Sequence, residues 1–562
     1  MAGTLDCAAH CTEMDASASS QAGAVVVVGA GPTGLLAAAE LQAGGVRTIV
    51  LERRAEQESN LTRAFAVHAR TLEILDACGL ADELVARGTR VDQVRLFSHI
   101  DVRLSRLPSR FPYVLITPQY QTERVLREYA ARVGVEIRRG SEVTSLSQDA
   151  DAVSVQVRSR DGTTSSLRAA YVVGADGAHS TVRQALSMPF PGHESKIGWL
   201  LLADVRLADE PPQVLAANGT GEDFAFVAPF GDGWFRVFAW NRHMAAPGDT
   251  GHSLETIREI TRRAIGTDFG MHDARWISRF HNDERQVPQY RNGRVLLAGD
   301  AAHVHSPAGG QGMNLGMQDA ANLGWKLAAV ASGHAHDALL ATYQAERHPV
   351  GRNVVVLTER LVELVILRNP LLRAARDALG SVATSLPPLW GRIAGAISGI
   401  GVAYPRPPGA HRLVGRRMPD LALAAGPQSG ERLYEALRHR KCILVGSLAD
   451  RARSVELARP WAGRIELAYL RGAANAADAA VMLVRPDGYV GWASSESASP
   501  RRDAALHDAL ERWCGKPGAP RSAPPSGATS GPTWGASSGV PSPGSSPAAS
   551  APESTAPGAH RR

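Results

Sequence analysis

The sequence predicts an α/β protein with two sheets, one parallel and opened by a βαβ unit near the N-terminus, the other built of longer strands. Three observations predict it. A valine run, Val25–Val28, leads through Gly29-Ala30-Gly31-Pro32-Thr33-Gly34 into an apolar helical stretch and a second short strand. Two later apolar strands end beside an acidic residue and a glycine, at Gly174-Ala175-Asp176-Gly177 and at Gly299-Asp300. Around residues 186–284 the pattern changes to longer strands with aromatic content.

Each element follows in order. Residues 1–22 are small and polar without apolar periodicity, and are expected to be a disordered leader. Val25–Val28, Leu35–Gln42 and Thr48–Leu51 make the strand, helix and strand of the first unit. Val143–Leu146, Val153–Val157 and Ser166–Val173 read as a β-meander returning to the first sheet. Asp223–Phe230 and Trp234–Trp240 flank Gly231-Asp232-Gly233, a hairpin signal. Phe224 and Phe226 share one face, as do Phe238 and Trp240; that face is either core or a flat wall for a planar substrate.

Arg294–Leu297 is another buried strand, and a long helical region runs from Asp319 to Arg360. Residues 379–404 are apolar but carry Pro387, Pro388 and Arg392, which favours short packed helices over a membrane anchor. Leu433–Leu437, Cys442–Val445, Val481–Arg485 and Tyr489–Trp492 read as a small separate α/β domain. Beyond Cys514 the chain turns to Pro, Gly, Ser and Ala, a linker-like tail.

Composition narrows the function. At 562 residues the chain exceeds one ordinary core, so two or three domains are expected. Its 44% hydrophobic and 21% charged residues are those of a soluble globular protein. A formal net charge of +6 suits anionic cofactors and argues against a nucleic-acid binder. Clusters such as Arg412, Arg416, Arg417 and Arg438, Arg440, Lys441 read as solvated faces. The five cysteines (Cys7, Cys11, Cys78, Cys442 and Cys514) form no CxxC, so a reducing cytoplasm is the simplest setting. Gly23–Gly45 is apolar, but Gly29, Gly31, Pro32 and Gly34 interrupt it and no basic segment precedes it. No membrane association is expected.

Three motifs carry chemistry. In Gly29–Gly34 the glycines permit a sharp turn and close approach to a pyrophosphate, while the helix N-terminus presents N–H groups to the anion. Glu52, at the end of the second strand, is placed for ribose hydroxyls. This unit binds a dinucleotide but leaves FAD and NAD(P) both open, and Arg53 and Arg54 even hint at a 2′-phosphate. The second motif, Arg294–His303, decides for FAD: it puts Asp300 at a strand end, and Pro307-Ala308-Gly309-Gly310-Gln311-Gly312-Met313-Asn314 follows as a glycine-rich loop opening a helix near Leu315. Its N–H groups suit the N1–C2=O edge of a flavin ring, where charge accumulates on reduction. The third, Val172–Arg183, places Asp176 at the end of a further strand. His303 and His305 read as packed or capping histidines rather than general bases.

Together these motifs resemble the single-component FAD-dependent aromatic hydroxylases, the para-hydroxybenzoate and phenol hydroxylase family, over about residues 24–400. Thr62–Glu73 and Pro118–Arg124 look like the variant found in bacterial aromatic-polyketide hydroxylases. The resemblance implies a Rossmann-like FAD-binding domain (23–185 with 285–400), a β-sheet substrate-binding domain (186–284) and a thioredoxin-like domain (405–515) that lacks the redox CxxC, followed by a tail (516–562). It implies that Arg63 and Gln121 contact FAD, Asp300 its ribityl–pyrophosphate region, and Asp176 both FAD and the nicotinamide co-substrate. Gly29, Gly31, Gly34, Glu52, Arg53, Gly312, Met313 and Asn314 complete the candidate cofactor site, with Arg63 and Pro307 as catalytic candidates and no metal.

The expected reaction consumes NADPH or NADH and O2 and hydroxylates a phenolic or polyketide-like aromatic through a C4a-hydroperoxyflavin. A Baeyer–Villiger or epoxidising enzyme of the same fold, and a non-catalytic FAD-binding redox sensor or scaffold, stay open. No second GxGxxG marks a dedicated NADPH domain. The oligomer expected is a monomer or homodimer.

Overall fold

The structure, a computed structural model, describes residues 23–55, 64–97, 100–244, 253–424, 431–446, 450–471 and 481–518. Its first sheet has six strands in the order Arg291–Asn292, Val295–Leu297, Tyr171–Gly174, Val25–Val28, Thr48–Glu52 and Glu136–Arg139. The last five are mutually parallel. Val25–Val28 lies at the centre, buried on both faces, which is why its residues are all valine rather than alternating with polar ones.

Helix Pro32–Ala43 returns along this sheet and packs on helix Gln311–Ala331. Small residues let the two helices close together: a Cβ at Gly44 would lie 2.6 Å from Ala328, and one at Gly324 would lie 2.5 Å from Glu40. Strands Ser141–Gln148, Val153–Ser159 and Thr164–Ala169 form the antiparallel meander. The segment read as a single strand, Ser166–Val173, is two: the chain passes at Ala170 from the meander into the parallel sheet.

The second sheet, antiparallel, runs Ala216–Gly219, Asp223–Pro229, Phe235–Asn241, Gly192–Arg206, His272–Gln286 and His303–Val304. Helix Leu254–Ile265 covers one face. On the other face the hairpin register sets Phe224 opposite Trp240 and Phe226 opposite Phe238. His303–Val304 belongs to this sheet and directly follows Val295–Leu297 and the Gly299–Ala301 turn, so the segment carrying Gly299-Asp300 joins the two sheets.

The helical region expected from Asp319 starts earlier, at Gln311, and divides at Gly333 (φ +72°) into Gln311–Ala331 and Ala338–Val365. Two short helices, Pro370–Ser385 and Pro387–Ser398, follow, and no described helix is long and apolar enough to cross a membrane.

A four-stranded mixed sheet, Ile465–Tyr469, Cys442–Gly446, Val481–Val484 and Val490–Ser494, closes the described chain with helix Pro500–Cys514. This part packs on the rest of the described chain through buried charge. Arg485 donates to Glu346 at 2.6 and 2.9 Å, Lys326 to the same carboxylate at 2.7 Å, and Arg70 to the Asp487 carbonyl at 2.6 Å. Arg432 and Arg438 both reach Asp76.

Candidate active site

The three glycines of the first turn do three different things. Gly29 has φ +102°, and a Cβ there would lie 2.4 Å from the Ala175 carbonyl oxygen, so this position brings Ala175-Asp176 against the turn. Gly34 sits so close to Gly29 that a Cβ would meet its carbonyl oxygen at 2.0 Å. A Cβ on Gly31 would meet nothing within 4 Å. Gly31 therefore keeps open a space in front of helix Pro32–Ala43, whose N-terminus has no side-chain cap.

Glu52 is buried beside that turn. Its carboxylate accepts from the Ala30 N–H at 2.8 Å and from the Arg54 N–H and Nε at 2.9 and 3.0 Å. Burial pushes its carboxyl up, but these bonds outweigh burial and hold it below the ordinary range. Arg53 points elsewhere, lining an open cleft of about 540 Å³ with Arg158 and Arg160.

Asp176 follows the third central strand. Its Oδ2 accepts from the Val182 N–H at 3.1 Å, and burial raises its carboxyl above the ordinary value despite hydrogen bonds to the Ser180–Val182 turn. Asp300 lies exposed in the 3-10 turn Gly299–Ala301. Thr33, in the first turn of Pro32–Ala43, ties it to the rest: Cβ atoms built at Gly299 and Gly316 would come within 2.8 and 2.3 Å of the Thr33 hydroxyl. All three motifs thus meet at one place.

The Pro307–Asn314 loop closes it. The Gly310 N–H donates to the Pro307 carbonyl at 2.9 Å, and Gly309 and Gly310 both take left-handed conformations, φ +82° and +64°. Gly310 is the uncapped N-terminal residue of helix Gln311–Ala331, so the N–H groups of Gln311, Gly312 and Met313 are free of helical partners. Asn314 is saturated by the protein: it accepts from the His68 N–H at 2.8 Å and donates to the Ala66 and Gly310 carbonyls at 2.9 and 2.8 Å. Its side chain sets the loop against Ala66–His68, leaving no donor for a ligand.

Two histidines flank the loop, His68 buried and His305 half-buried, and desolvation pulls each down to about 4, keeping both neutral near pH 7. His68 lies under Gly310, and His305, 3.8 Å from a Cβ at Gly312, has an Nε2 without a hydrogen-bond partner among the described residues. No sequence signal marks His68 beyond its place in Thr62–Glu73. His303 is a structural group, its Nε2 2.6 Å from Asp319, which Arg347 also grips at 2.7 Å.

An aromatic face stands opposite the loop. Phe238, Trp240 and Phe280 pack with Ile197, Leu200, Leu202 and Val362, and Phe65, Phe224, Phe226 and Ala308 are among the half-buried residues against them. Phe65 links the two sheets, its ring 5.5 Å from Phe226 and 5.7 Å from Phe238. Arg63, two residues earlier, lies outside the described residues.

The place where the motifs meet fits a flavin dinucleotide. The Cβ-free space at Gly31 and two uncapped helix N-termini suit a pyrophosphate and an anionic ring edge. Gln121, on a helix packed against Pro32–Ala43, has a buried Oε1 with no partner among the described residues, and Asp176 Oδ1 is in the same condition.

The FAD binding domain family matches residues 23–358, and the aromatic-ring hydroxylase C-terminal family matches residues 411–517. The chain is 39% identical to a 12-dehydrotetracycline 5-monooxygenase/anhydrotetracycline 6-monooxygenase of Streptomyces rimosus, over 88% of this chain and 99% of that one. It is 39% identical to a rifampicin monooxygenase of Streptomyces venezuelae, over 84% and 96%. The solved structure of an anhydrotetracycline hydroxylase from Streptomyces rimosus superposes with a TM-score of 0.77 at 37% identity, covering 88% of this chain and 99% of that one.

Proposed function

The chain belongs to the FAD-dependent aromatic-ring hydroxylases, and from that premise we propose that it uses NAD(P)H and O2 to hydroxylate a phenolic or aromatic-polyketide small molecule. One observation carries the reading: Ala308, inside the glycine-rich loop, packs in the same cluster as Phe224, Phe226, Phe238, Trp240 and Phe280. Cofactor loop and aromatic face therefore border one space, and a flat apolar ligand on that face lies against the loop.

Bound FAD would take hydride from the nicotinamide and activate O2 for transfer to an electron-rich ring carbon. The chain's own residues do the rest. In a turn shaped by Gly29 and Gly34, Gly31 and the N-terminus of Pro32–Ala43 hold the pyrophosphate, Glu52 and Asp300 the sugar alcohols, and Gln121 and Asp176 offer their unsatisfied oxygens. The Gly312 and Met313 N–H groups meet the anionic ring edge, an interaction of about 0.3–1 kcal/mol and up to ~2 when partly buried. The aromatic face excludes water and orients the substrate ring. His305, neutral with Nε2 unsatisfied, is placed to exchange a hydrogen bond beside the loop. Arg63 is assigned to phenolate or flavin charge, and Pro307 to the shape of the loop over the reacting ring.

The test follows NAD(P)H oxidation, H2O2 and products on the purified flavoprotein, with and without a panel of phenolic polyketides. Ligand-accelerated flavin reduction and a product heavier by one oxygen are expected. Slow flavin reduction indifferent to every ligand would overturn the reading.

A further inference from the structure

Outside the cofactor region, three side chains from three elements converge: His193 on strand Gly192–Arg206, Glu284 on strand His272–Gln286 and Glu359 on helix Ala338–Val365. Their ligand atoms all lie within 4.8 Å of one another. His193 and Glu284 are cross-strand partners, and His193 Nε2 is 3.4 Å from both Glu284 Oε2 and Glu359 Oε1.

Glu284 is the odd member. Its side chain is 1% exposed, yet neither carboxylate oxygen accepts a hydrogen bond of ordinary geometry from any described group. The buried Ser195 hydroxyl lies beside it, outside ordinary hydrogen-bond geometry and with no other partner among the described residues, and Lys196 is engaged with Glu363 instead. A buried carboxylate without donors costs several kcal/mol unless a proton or a cation sits on it. The imidazole does not satisfy it, since charge-assisted N–H···O contacts close to about 2.7–2.9 Å. The distance from the imidazole to each carboxylate suits another arrangement: two ligands each about 2.0–2.2 Å from a tetrahedral ion lie roughly 3.3–3.6 Å apart.

We propose that His193, Glu284 and Glu359 bind a divalent transition-metal ion of the zinc class, with water completing the coordination. One imidazole and two carboxylates is a hard-to-borderline N/O set that such ions accept, and the two carboxylates neutralise the ion. The role is structural. Immediately past this pair the register of the Gly192–Arg206 strand is interrupted, between Glu194 and Trp199, before it resumes with Leu200 and Leu202 on the aromatic face. Glu359 lies one turn before Val362 of the same face. The ion fastens three walls of the substrate space below that irregularity.

The experiment uses the flavin-loaded protein, dialysed against EDTA, then given Zn2+ alone and passed through gel filtration. About one zinc per chain is expected to stay with the wild type, and its thermal midpoint to rise by at least about 2 °C. Glu284→Gln and, separately, His193→Ala should retain no zinc and show no rise, with flavin content unchanged. His193 is 56% exposed, so its substitution leaves the fold intact and decides the matter if the buried variant fails to fold. Wild type without bound zinc, or His193→Ala with as much zinc as wild type, overturns the proposal.

Discussion

At the scale of single residues, the first turn separates what the fold needs from what a ligand needs. Gly34 is walled by protein, since a Cβ lands 2.0 Å from a carbonyl oxygen, whereas a Cβ at Gly31 meets no protein atom. Gly34→Ala should lower the unfolding free energy by about 1–3 kcal/mol or more by overpacking. Gly31→Ala should fold with wild-type stability as apoprotein and yet bind FAD at least about tenfold more weakly, about 1.4 kcal/mol. Flavin titration and denaturation of both variants check this; equal effects of the two on folding would contradict it. His68 supplies a pH test. Burial lowers its pKa to about 4 from the ordinary 6.5, so the unfolded chain takes up a proton that the folded one refuses. The shift costs nothing above about pH 6.5 and destabilises the fold progressively as pH falls towards 4, at up to about 1.4 kcal/mol per unit. His68→Gln should flatten that part of a urea-denaturation profile relative to wild type, and an unchanged slope would count against a neutral buried His68.

At the scale of elements, the C-terminal sheet is held by charge rather than by a broad apolar seam alone. Arg485 satisfies Glu346 and Asp487 together; burial pushes the Glu346 carboxyl up, but Arg485 and Lys326 hold it far below the usual range. Burial in turn draws the Lys326 ammonium down to about 8. Arg485→Met leaves two buried carboxylates with one compensating lysine, and should destabilise the protein by about 3–5 kcal/mol. A change under about 1 kcal/mol in equilibrium denaturation would contradict this. None of this network is visible along the chain, because Arg485 and Glu346 stand 139 positions apart and neither has a local motif. Strands were legible where apolar runs ended at glycine or an acidic residue: Val25–Val28 has the bounds read from the sequence. Helix starts were less so. Glycines at 309, 310 and 312 weaken the helical pattern, yet Gly312 sits inside the helix, whose first turn the sequence placed four residues late, near Leu315. A Cβ at Gly312 would meet only His305 of the protein, at 3.8 Å. The strand break at Ala170 depends on which sheet each half pairs with, and that is a tertiary choice.

At the scale of the molecule, the parallel sheet brings three dispersed motifs to one point, and the strand His303–Val304 carries the chain from there into the antiparallel sheet. That connection is what sets the Pro307–Asn314 loop against Phe226 and Phe238, and the proposed reaction depends on the loop and the aromatic face sharing one space. Gly312→Val tests it most directly. The protein itself has room for the first added carbon, with φ in the helical range, so folding and the remote pyrophosphate turn should survive. The added methyls intrude where the ring edge would lie, and a displacement of about 1 Å can cost roughly a hundredfold in a positioned reaction. The measurement is the ratio of hydroxylated product to NAD(P)H consumed, with H2O2 and flavin content followed in the same assay. The account predicts retained FAD, continued NAD(P)H oxidation and H2O2 in place of product; wild-type coupling in this variant would contradict it.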